Sequence, residues 1–411
     1  MTAAQQGFLV ILKAGLQNEK PEDPKLDPEG WAELVRLAAI HSLLPYVLDA
    51  VFTLPSFAAL DREQKTAWRD KALEAVTRQV FQENEFLDLI LSMQRKGLDP
   101  VVLKGAVCRA LYPKPFLRPS VDEDLLIPPD QICAYHDVLC ENGVLPDKPD
   151  ADLRTTDEPS YHKPDSPTYI ELHKYPFPSD SDAYGDCNRY FTHVFRDPGA
   201  TVKTRIQDVD VLTLAPTEHV LFLMLHSYKH FLHSGFGIRQ IMDLAVFTHA
   251  HQGEIRWEPI LSALGELRCL RFVAAMYRVS ERHLGFALPE PFQAIETDEL
   301  PLLADVLQSG VHGAESLDRL HSSTITLSAV SGQKTGQGSA KGVFAATFLP
   351  LDAMKGKYPY LEKHPWLLPV AWGERIITYI GKRGKDHTDP AVSLKLGQER
   401  VALLRRYGII E

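Results

Sequence analysis

Asp122, Glu123 and Asp124 stand directly before the apolar run Leu-Leu-Ile, in a segment closed by Pro128 and Pro129. On a strand, alternate side chains share a face, so Asp122 and Asp124 are expected to point the same way. Two carboxylates at that spacing repel unless a cation lies between them, and magnesium or manganese is the usual occupant. Glu171 falls in a later strand-like run, with Ile170 and Leu172 directed to the opposite face. It completes a set of three acids, and His173 shares its face. Taken alone, the D-x-D pattern equally describes the exposed end of a strand.

Upstream, Leu103-Lys104-Gly105-Ala106 reads as a turn from strand to helix. Backbone amides at a helix start can hold phosphate, and a lysine beside them can neutralise it. Arg118 and Ser120 follow, just ahead of the aspartates. This order would gather phosphate binding, metal binding and the third carboxylate into one compact unit.

A second constellation competes. His219, His226, His230 and His233 recur at helical spacing and fall within roughly 60° of one face at 100° per residue. Asp243 follows on the next helix, and His226 with His230 has the i, i+4 spacing of helical zinc ligands. Either a polar wall lining a groove or a metal-dependent hydrolase site would use these residues.

The elements that must position such groups are legible in outline. WAELVRLAAIHSLLPYVLDAVF is amphipathic at helical period, with Pro45 expected to interrupt or restart it, and a long helix is expected from about Leu60 to Lys96 with Gly97 past its end. VVL (101–103), the run after Asp122 and TYIELHKY read as strands, and DQICAYHDVLCENG reads as a short amphipathic helix. From residue 216 the pattern is helical again through PTEHVLFLMLHSYKHFLH and RQIMDLAVFTHAH, and the segment from Tyr358 resumes as helix with Trp366 and Trp372 as core anchors. Residues 325–342, rich in Gly, Ser and small polar residues, are expected to form a flexible loop. Strands between helices give an α+β class in three regions: 1–97 helical, 98–215 mixed, 216–411 helical.

Composition limits the functions on offer. The chain has 411 residues, of which 45% are hydrophobic and 24% charged, which excludes wholesale disorder. A net charge of −10 argues against extended nucleic-acid binding, which needs surplus Lys and Arg. The basic run Arg375, Lys382, Arg383, Lys385, Lys395, Arg400, Arg405 and Arg406 is read as a solvated face. Five cysteines without a C-x-x-C pair, no signal-peptide pattern and no apolar run long enough for a membrane lead to the expectation of a cytoplasmic protein.

LKGAVCRALYPKPFLRPSVDEDLLIPPDQICAYHDVLCENGV resembles the core of the uncharacterised nucleotidyltransferases of the DNA polymerase β-like superfamily, a mainly bacterial group. WAELVRLAAIHSLLPYVL is similar to their N-terminal helix and IELHKY to their third-acid strand. HVLFLMLHSYKHFLHSGFGIRQIMDLAVF is similar to their His-rich helix pair, and YPYLEKHPWLLPVAWGERI to their C-terminal segment. The resemblance implies a mixed-sheet nucleotidyltransferase core with Mg2+ or Mn2+ held by the catalytic acids Asp122, Asp124 and Glu171. It implies nucleotide binding by Lys104, Gly105, Arg118 and Ser120. His173, His226, His230 and Asp243 would form the pocket wall. The expected reaction moves a nucleoside monophosphate from a nucleoside triphosphate such as ATP to a hydroxyl of an unidentified acceptor, be it small molecule, peptide, protein or RNA. The alternatives are the His/Asp hydrolase and a catalytically weakened nucleotide-binding protein. Two positions depart from the superfamily pattern: Lys104-Gly105-Ala106 replaces a Gly-Gly or Gly-Ser pair, and Glu123 replaces an apolar residue. A buried unpaired carboxylate is costly, so Glu123 is expected to reach solvent, meet a cation or be protonated.

Overall fold

The computed structural model describes residues 1–233, 235–310, 317–334, 351, 354, 358, 360–372, 374 and 390–411. The chain opens with α1 (Ala3–Leu16), α2 (Pro28–Ile40) and α3 (Leu44–Val51), followed by the single turn α4 (Pro55–Ala58) and the long α5 (Arg62–Arg95). Local chemistry sets their ends. Thr2 and Gln5 form a capping box on α1, Asp27 caps α2 ahead of Pro28, and Asp61 caps α5. Pro45 sits in the first turn of α3, where its missing N–H costs nothing, so it restarts the helix. Gly97 takes a φ of +75° just beyond α5.

Among the described residues every strand lies between Val101 and Leu214. They are β1 (Val101–Val102), β2 (Glu123–Leu126), β3 (Leu145–Pro146), β4 (Ser160–His162), β5 (Tyr169–His173), β6 (Thr201–Ile206) and β7 (Val209–Leu214). They form one sheet in the order β3-β4-β5-β2-β1-β7-β6. β1–β7 and β2–β5 are parallel and the other pairs antiparallel, so the sheet is mixed. With helices on either side, the class is α+β. The central strands β1 and β2 are buried along their whole length. The expected strands at 101, 123 and 169 are present. The β6–β7 hairpin and the short β3 and β4 add to them; the alternation of β7 and the tight turn at Gln207-Asp208 were the signal for the hairpin.

Between strands run α6 (Lys104–Ala110) and α7 (Ile132–Glu141). After the sheet come α8 (Pro216–Leu232), α9 (Ile238–Ala250), α10 (Trp257–Glu266), α11 (Leu270–Val279), α12 (Glu290–Gln293), α13 (Leu300–Ser309) and α14 (Leu317–Lys334). The last of these corrects an expectation: residues 325–334 are helical rather than looped, and 335–342 lie outside the described residues. Apolar side chains of that stretch, Ala329 and Val330, are buried, so packing overrides its small-residue composition. Two more expectations change. Trp366 is 74% exposed, so it anchors no core, whereas Trp372 packs on a small cluster around Leu361 and Ala371. Arg400 is not on a solvated face. It is buried and donates to the carbonyls of His233 and Phe231 at the end of α8, whereas Lys395, Arg405 and Arg406 are exposed and Arg375, Lys382, Arg383 and Lys385 lie outside the described residues.

One hydrophobic core runs from Phe8 through the sheet to Ile410. Phe231 of α8 stacks on Phe272 at 4.6 Å and meets Phe236 and Tyr407 edge-on, joining helices far apart in sequence. No helix among the described residues is long and apolar enough to cross a membrane. Phe231→Ala is expected to lower stability by about 3–5 kcal/mol, since a buried ring is lost and a cavity left. Urea unfolding followed by circular dichroism checks this.

Candidate active site

β2 is short, yet its neighbours place it closely. Gln79 and Gln82 of α5, both buried, hold the segment that leads into it: Ser120 N donates to Gln79 Oε1 at 2.6 Å, and Gln82 Nε2 donates to the Val121 carbonyl at 3.1 Å. Asp122 lies one residue ahead of the strand and Asp124 within it. The parallel register sets Asp124 opposite Glu171 and Leu126 opposite His173. A one-residue slip would turn all of these to the other face.

Glu123, between the two aspartates, is fully buried and meets a cation, which settles its fate among the three expected. Arg109 Nη2 donates to Glu123 Oε1 at 2.9 Å, and Ser120 Oγ donates to the same oxygen at 3.0 Å. Glu123 Oε2 accepts from the Ala106 amide at 2.9 Å. Arg109 itself also reaches Glu83 at 2.6 Å and Ser120 Oγ at 2.7 Å. This contact explains Gly105. A Cβ there would lie 2.1 Å from Glu123 Oε2, and the residue holds a φ of +39° that favours glycine. The Ala106 amide, expected to face phosphate, is therefore taken by a protein carboxylate.

A cavity of about 300 Å³ opens on the other face of β2. Asp122, Asp124, Glu171 and His173 line its sheet side, with Lys104 and Gly105 at its floor. Arg118, Ser120, His226, His230 and Asp243 complete the set expected from sequence, so all eleven residues border one space. Lys104 Nζ stands 2.9 Å from Asp124 Oδ2 and 3.7 Å from Asp122 Oδ2. Burial disfavours its charge, but the aspartates outweigh that and hold the ammonium well above its ordinary pKa. His173 Nε2 lies 2.8 Å from Asp124 Oδ1 and 3.5 Å from Glu171 Oε2, while its Nδ1 faces Glu158 at 3.6 Å. Burial pulls its pKa down, yet the bonds to Asp124 and Glu171 lift it to about 9. Asp124 is pushed below the carboxylate range by Lys104 and His173 against its burial.

Asp124, Glu171 and His173 form the group among the described residues whose ligand atoms, within 4.8 Å of one another, could hold a metal ion. Two carboxylates fit a hard divalent cation such as magnesium or manganese, and the imidazole extends the fit toward manganese and softer metals. Asp122 stands outside this trio and joins it through Lys104.

The histidine stripe divides. His226 and His230 reach the cavity, where their Nε2 atoms are 3.2 Å apart. Burial, then repulsion from Lys104, holds His226 well below its ordinary pKa, so it is neutral. His219 instead packs between Thr213 of β7, at 3.2 Å, and Phe247 of α9. His233 caps the end of α8. Asp243 turns to Arg118, which grips it through Nε at 3.0 Å and through Nη2, and to the Tyr112 hydroxyl at 2.7 Å. The hydrolase alternative needs Asp243 beside the imidazoles, and its carboxylate is committed to a guanidinium.

Sequence reasoning missed Glu158, Lys229, Arg239 and Gln240, which also line the cavity. Arg239 carried a signal, since it precedes Asp243 by four residues and so shares its helical face. Glu158 lies in an irregular loop and carried none; Lys174 pins that loop by donating to the carbonyls of Leu153 and Arg154.

Residues 27–285, more than half of the chain, match the family described as uncharacterised nucleotidyltransferase. The chain belongs to that family. No curated protein and no solved structure matches it.

Arg109→Met removes one partner of a buried pair and is expected to destabilise the protein by about 3–5 kcal/mol in urea unfolding. Acid should weaken the fold for a separate reason. Burial, with repulsion from His251, depresses the His219 pKa to about 3, and burial depresses that of His41 to about 4. Unfolded histidine titrates near 6.5, so the unfolded chain takes up protons that these folded sites refuse. Their contribution is complete above about pH 6.5 and is lost as pH falls toward those folded values. His219→Asn should give a shallower fall in urea midpoint between about pH 6.5 and 4 than the parent protein shows.

Proposed function

We propose that this member of the nucleotidyltransferase family transfers a nucleoside monophosphate from a nucleoside triphosphate to a hydroxyl of an acceptor, in a reaction that depends on magnesium or manganese. The observation that carries the reading is Asp124 beside Glu171 across the parallel β2–β5 pair, with Lys104 reaching Asp124 from the cavity floor. In the family resemblance Asp122, Asp124 and Glu171 are the catalytic acids, and here they border one cavity with Lys104.

Asp124 and Glu171 would hold the divalent ion, with Asp122 and His173 at hand. The bound ion would supply Lewis-acid stabilisation of charge on the reacting oxygens. The rest falls to the chain. The acceptor hydroxyl gives up its proton to solvent as its oxygen attacks the α-phosphorus, the bond to the bridging oxygen breaks, and pyrophosphate leaves in line. Lys104 is placed to neutralise phosphate charge, and its ammonium stays charged because the aspartates hold it so. Gly105 leaves room for the Glu123 carboxylate behind it, which fixes β2. The hydroxyl of Ser120 is engaged by Arg109 and Glu123, so its part is to fix β2 rather than to grip nucleotide. Arg118, held by Asp243, lines the same cavity.

Glu171→Gln preserves shape and removes one charge. It is expected to lower magnesium-dependent pyrophosphate release from a nucleoside triphosphate by about a hundredfold or more, the scale of losing a charged group from a preorganised site. His226→Ala with His230→Ala should leave magnesium-dependent nucleotide binding largely intact. Stoichiometric zinc that disappears with the histidine pair, alongside unchanged turnover in Glu171→Gln, would overturn the reading.

A further inference from the structure

A second cavity, of about 450 Å³, lies between α9, α10, α11 and the segment that carries α12, and it is larger than the one the acids border. α9 separates the two. Arg239, Gln240 and Asp243 line the first, whereas Ala245, Thr248, His249 and Gln252 line the second. At 100° per residue these sets fall on opposite arcs of the helix, roughly 180° apart. The two linings share no residue, so a ligand in the second cavity touches none of the acids.

The second lining is aromatic and preformed. Thr248 and Tyr277 are buried and joined by a hydroxyl contact of 2.8 Å, and the buried Ser280 lines the cavity with them. Trp257 meets Tyr277 edge-on at 6.4 Å, and the buried Phe292 props both rings, at 5.7 Å and 4.7 Å, without lining the cavity itself. α11 ends in a single π turn, Ser280–Leu284, a distortion that recurs at functional sites. The Phe286 amide donates to the Ser280 carbonyl across that turn, and the Phe286 ring meets His249 edge-on at 5.6 Å. Glu290 is the carboxylate of the lining, and neither lysine nor arginine joins it among the described residues. Arg278, which donates to the Gln293 carbonyl behind the rim, is paired with Glu281. The faces of aromatic rings are electrically negative, so three rings and a carboxylate attract a cation and repel a phosphate. The volume is that of a site for a small molecule, larger than an ammonium group alone requires.

We propose that this cavity is a second ligand site, which takes a small organic cation: an ammonium group carried on an aromatic ring. The ring packs among Trp257, Tyr277 and Phe286, and the ammonium is held by their π faces and by Glu290. Because α9 stands between this site and the acids, its ligand is an effector and not the reacting acceptor. The proposal does not rest on the transferase reading.

The test titrates the full chain near neutral pH with three probes of one shape: benzylamine, a cation; benzyl alcohol, neutral; and benzoate, an anion. Ligand-observed NMR reads binding. Benzylamine should bind with a Kd of about 1 mM, the scale that a ligand of so few atoms reaches. Benzyl alcohol should bind about threefold more weakly, and benzoate most weakly of all. Ala287→Trp, at an exposed position of the lining, fills the mouth and should weaken benzylamine by about tenfold or more. Glu290→Gln removes the carboxylate and should weaken it by about threefold. The acids of the first cavity also attract an ammonium, so Glu171→Gln is titrated in parallel and should leave the affinity for benzylamine unchanged. Absence of benzylamine binding, benzoate bound as tightly as benzylamine, or equal affinity in Ala287→Trp overturns the proposal, as does loss of binding in Glu171→Gln. A thermal melt establishes that each variant is folded. Should Ala287→Trp unfold, Glu290→Gln, a change at an exposed side chain, decides, and unchanged affinity in it overturns the proposal. Turnover does not enter these titrations, so they stand or fall apart from the transferase reading.

Discussion

The buried contact of Glu123 with Arg109 decides which face of β2 borders the cavity. Side chains alternate along a strand, so a carboxylate drawn inward to a guanidinium forces its neighbours Asp122 and Asp124 outward together. Such a pair is costly to bury and is tolerated only when its remaining hydrogen-bonding capacity is met. Here Ser120, the Ala106 amide and Glu83 meet it. Glu123 and Gly105 are two halves of this one arrangement. Glu123 requires a glycine at 105, because its oxygen occupies the space of a Cβ, and Gly105 in turn lets α6 begin beside β2 and deliver Lys104 to the aspartates.

From that constraint the electrostatics of the cavity follow. The sheet side carries Asp122, Asp124 and Glu171, with Lys104 and His173 among them. Both cations stay charged because the carboxylates outweigh their desolvation. The helical side carries Arg118 and Arg239 with Asp243, together with His226, which burial keeps neutral, and His230. A small cavity with acids on one side and guanidiniums on the other suits a ligand that is itself charged at more than one place. It suits an apolar ligand poorly, because each group would lose water without gaining a partner.

The supporting helices act at a distance from the chemistry. α5 supports the site through Gln79 and Gln82, which grip the residues before β2, through Glu83, which shares Arg109, and through Glu85, which holds Thr168 ahead of β5. α9 contributes Arg239 and Asp243 to the cavity, and Phe247, one turn beyond Asp243, packs on His219. α8 is held at its far end by Arg400, from the helix Pro390–Arg406. The site is held by buried polar contacts, and Lys174 ties down the irregular loop that brings Glu158 to His173.

The sequence by itself determined what short-range rules control. Period, caps and proline placement fixed the helices of the first hundred residues, and the alternation around Asp124 and Glu171 fixed which side chains travel together. The spacing of the acids, of Lys104 and of His226 with His230 named part of the lining of the cavity. Only tertiary structure decided their partners, because a partner depends on register and on the packing of elements distant in sequence. Nothing local showed that Glu123 would meet Arg109, that Asp243 would leave the histidines for Arg118, or that His219 would turn into the core. The small-residue stretch at 325–334 became helix, and Arg400 became a buried clamp, for the same reason. Burial against a preformed surface outweighs local propensity of a few tenths of a kcal/mol per residue, about the scale on which a sequence expresses its preferences.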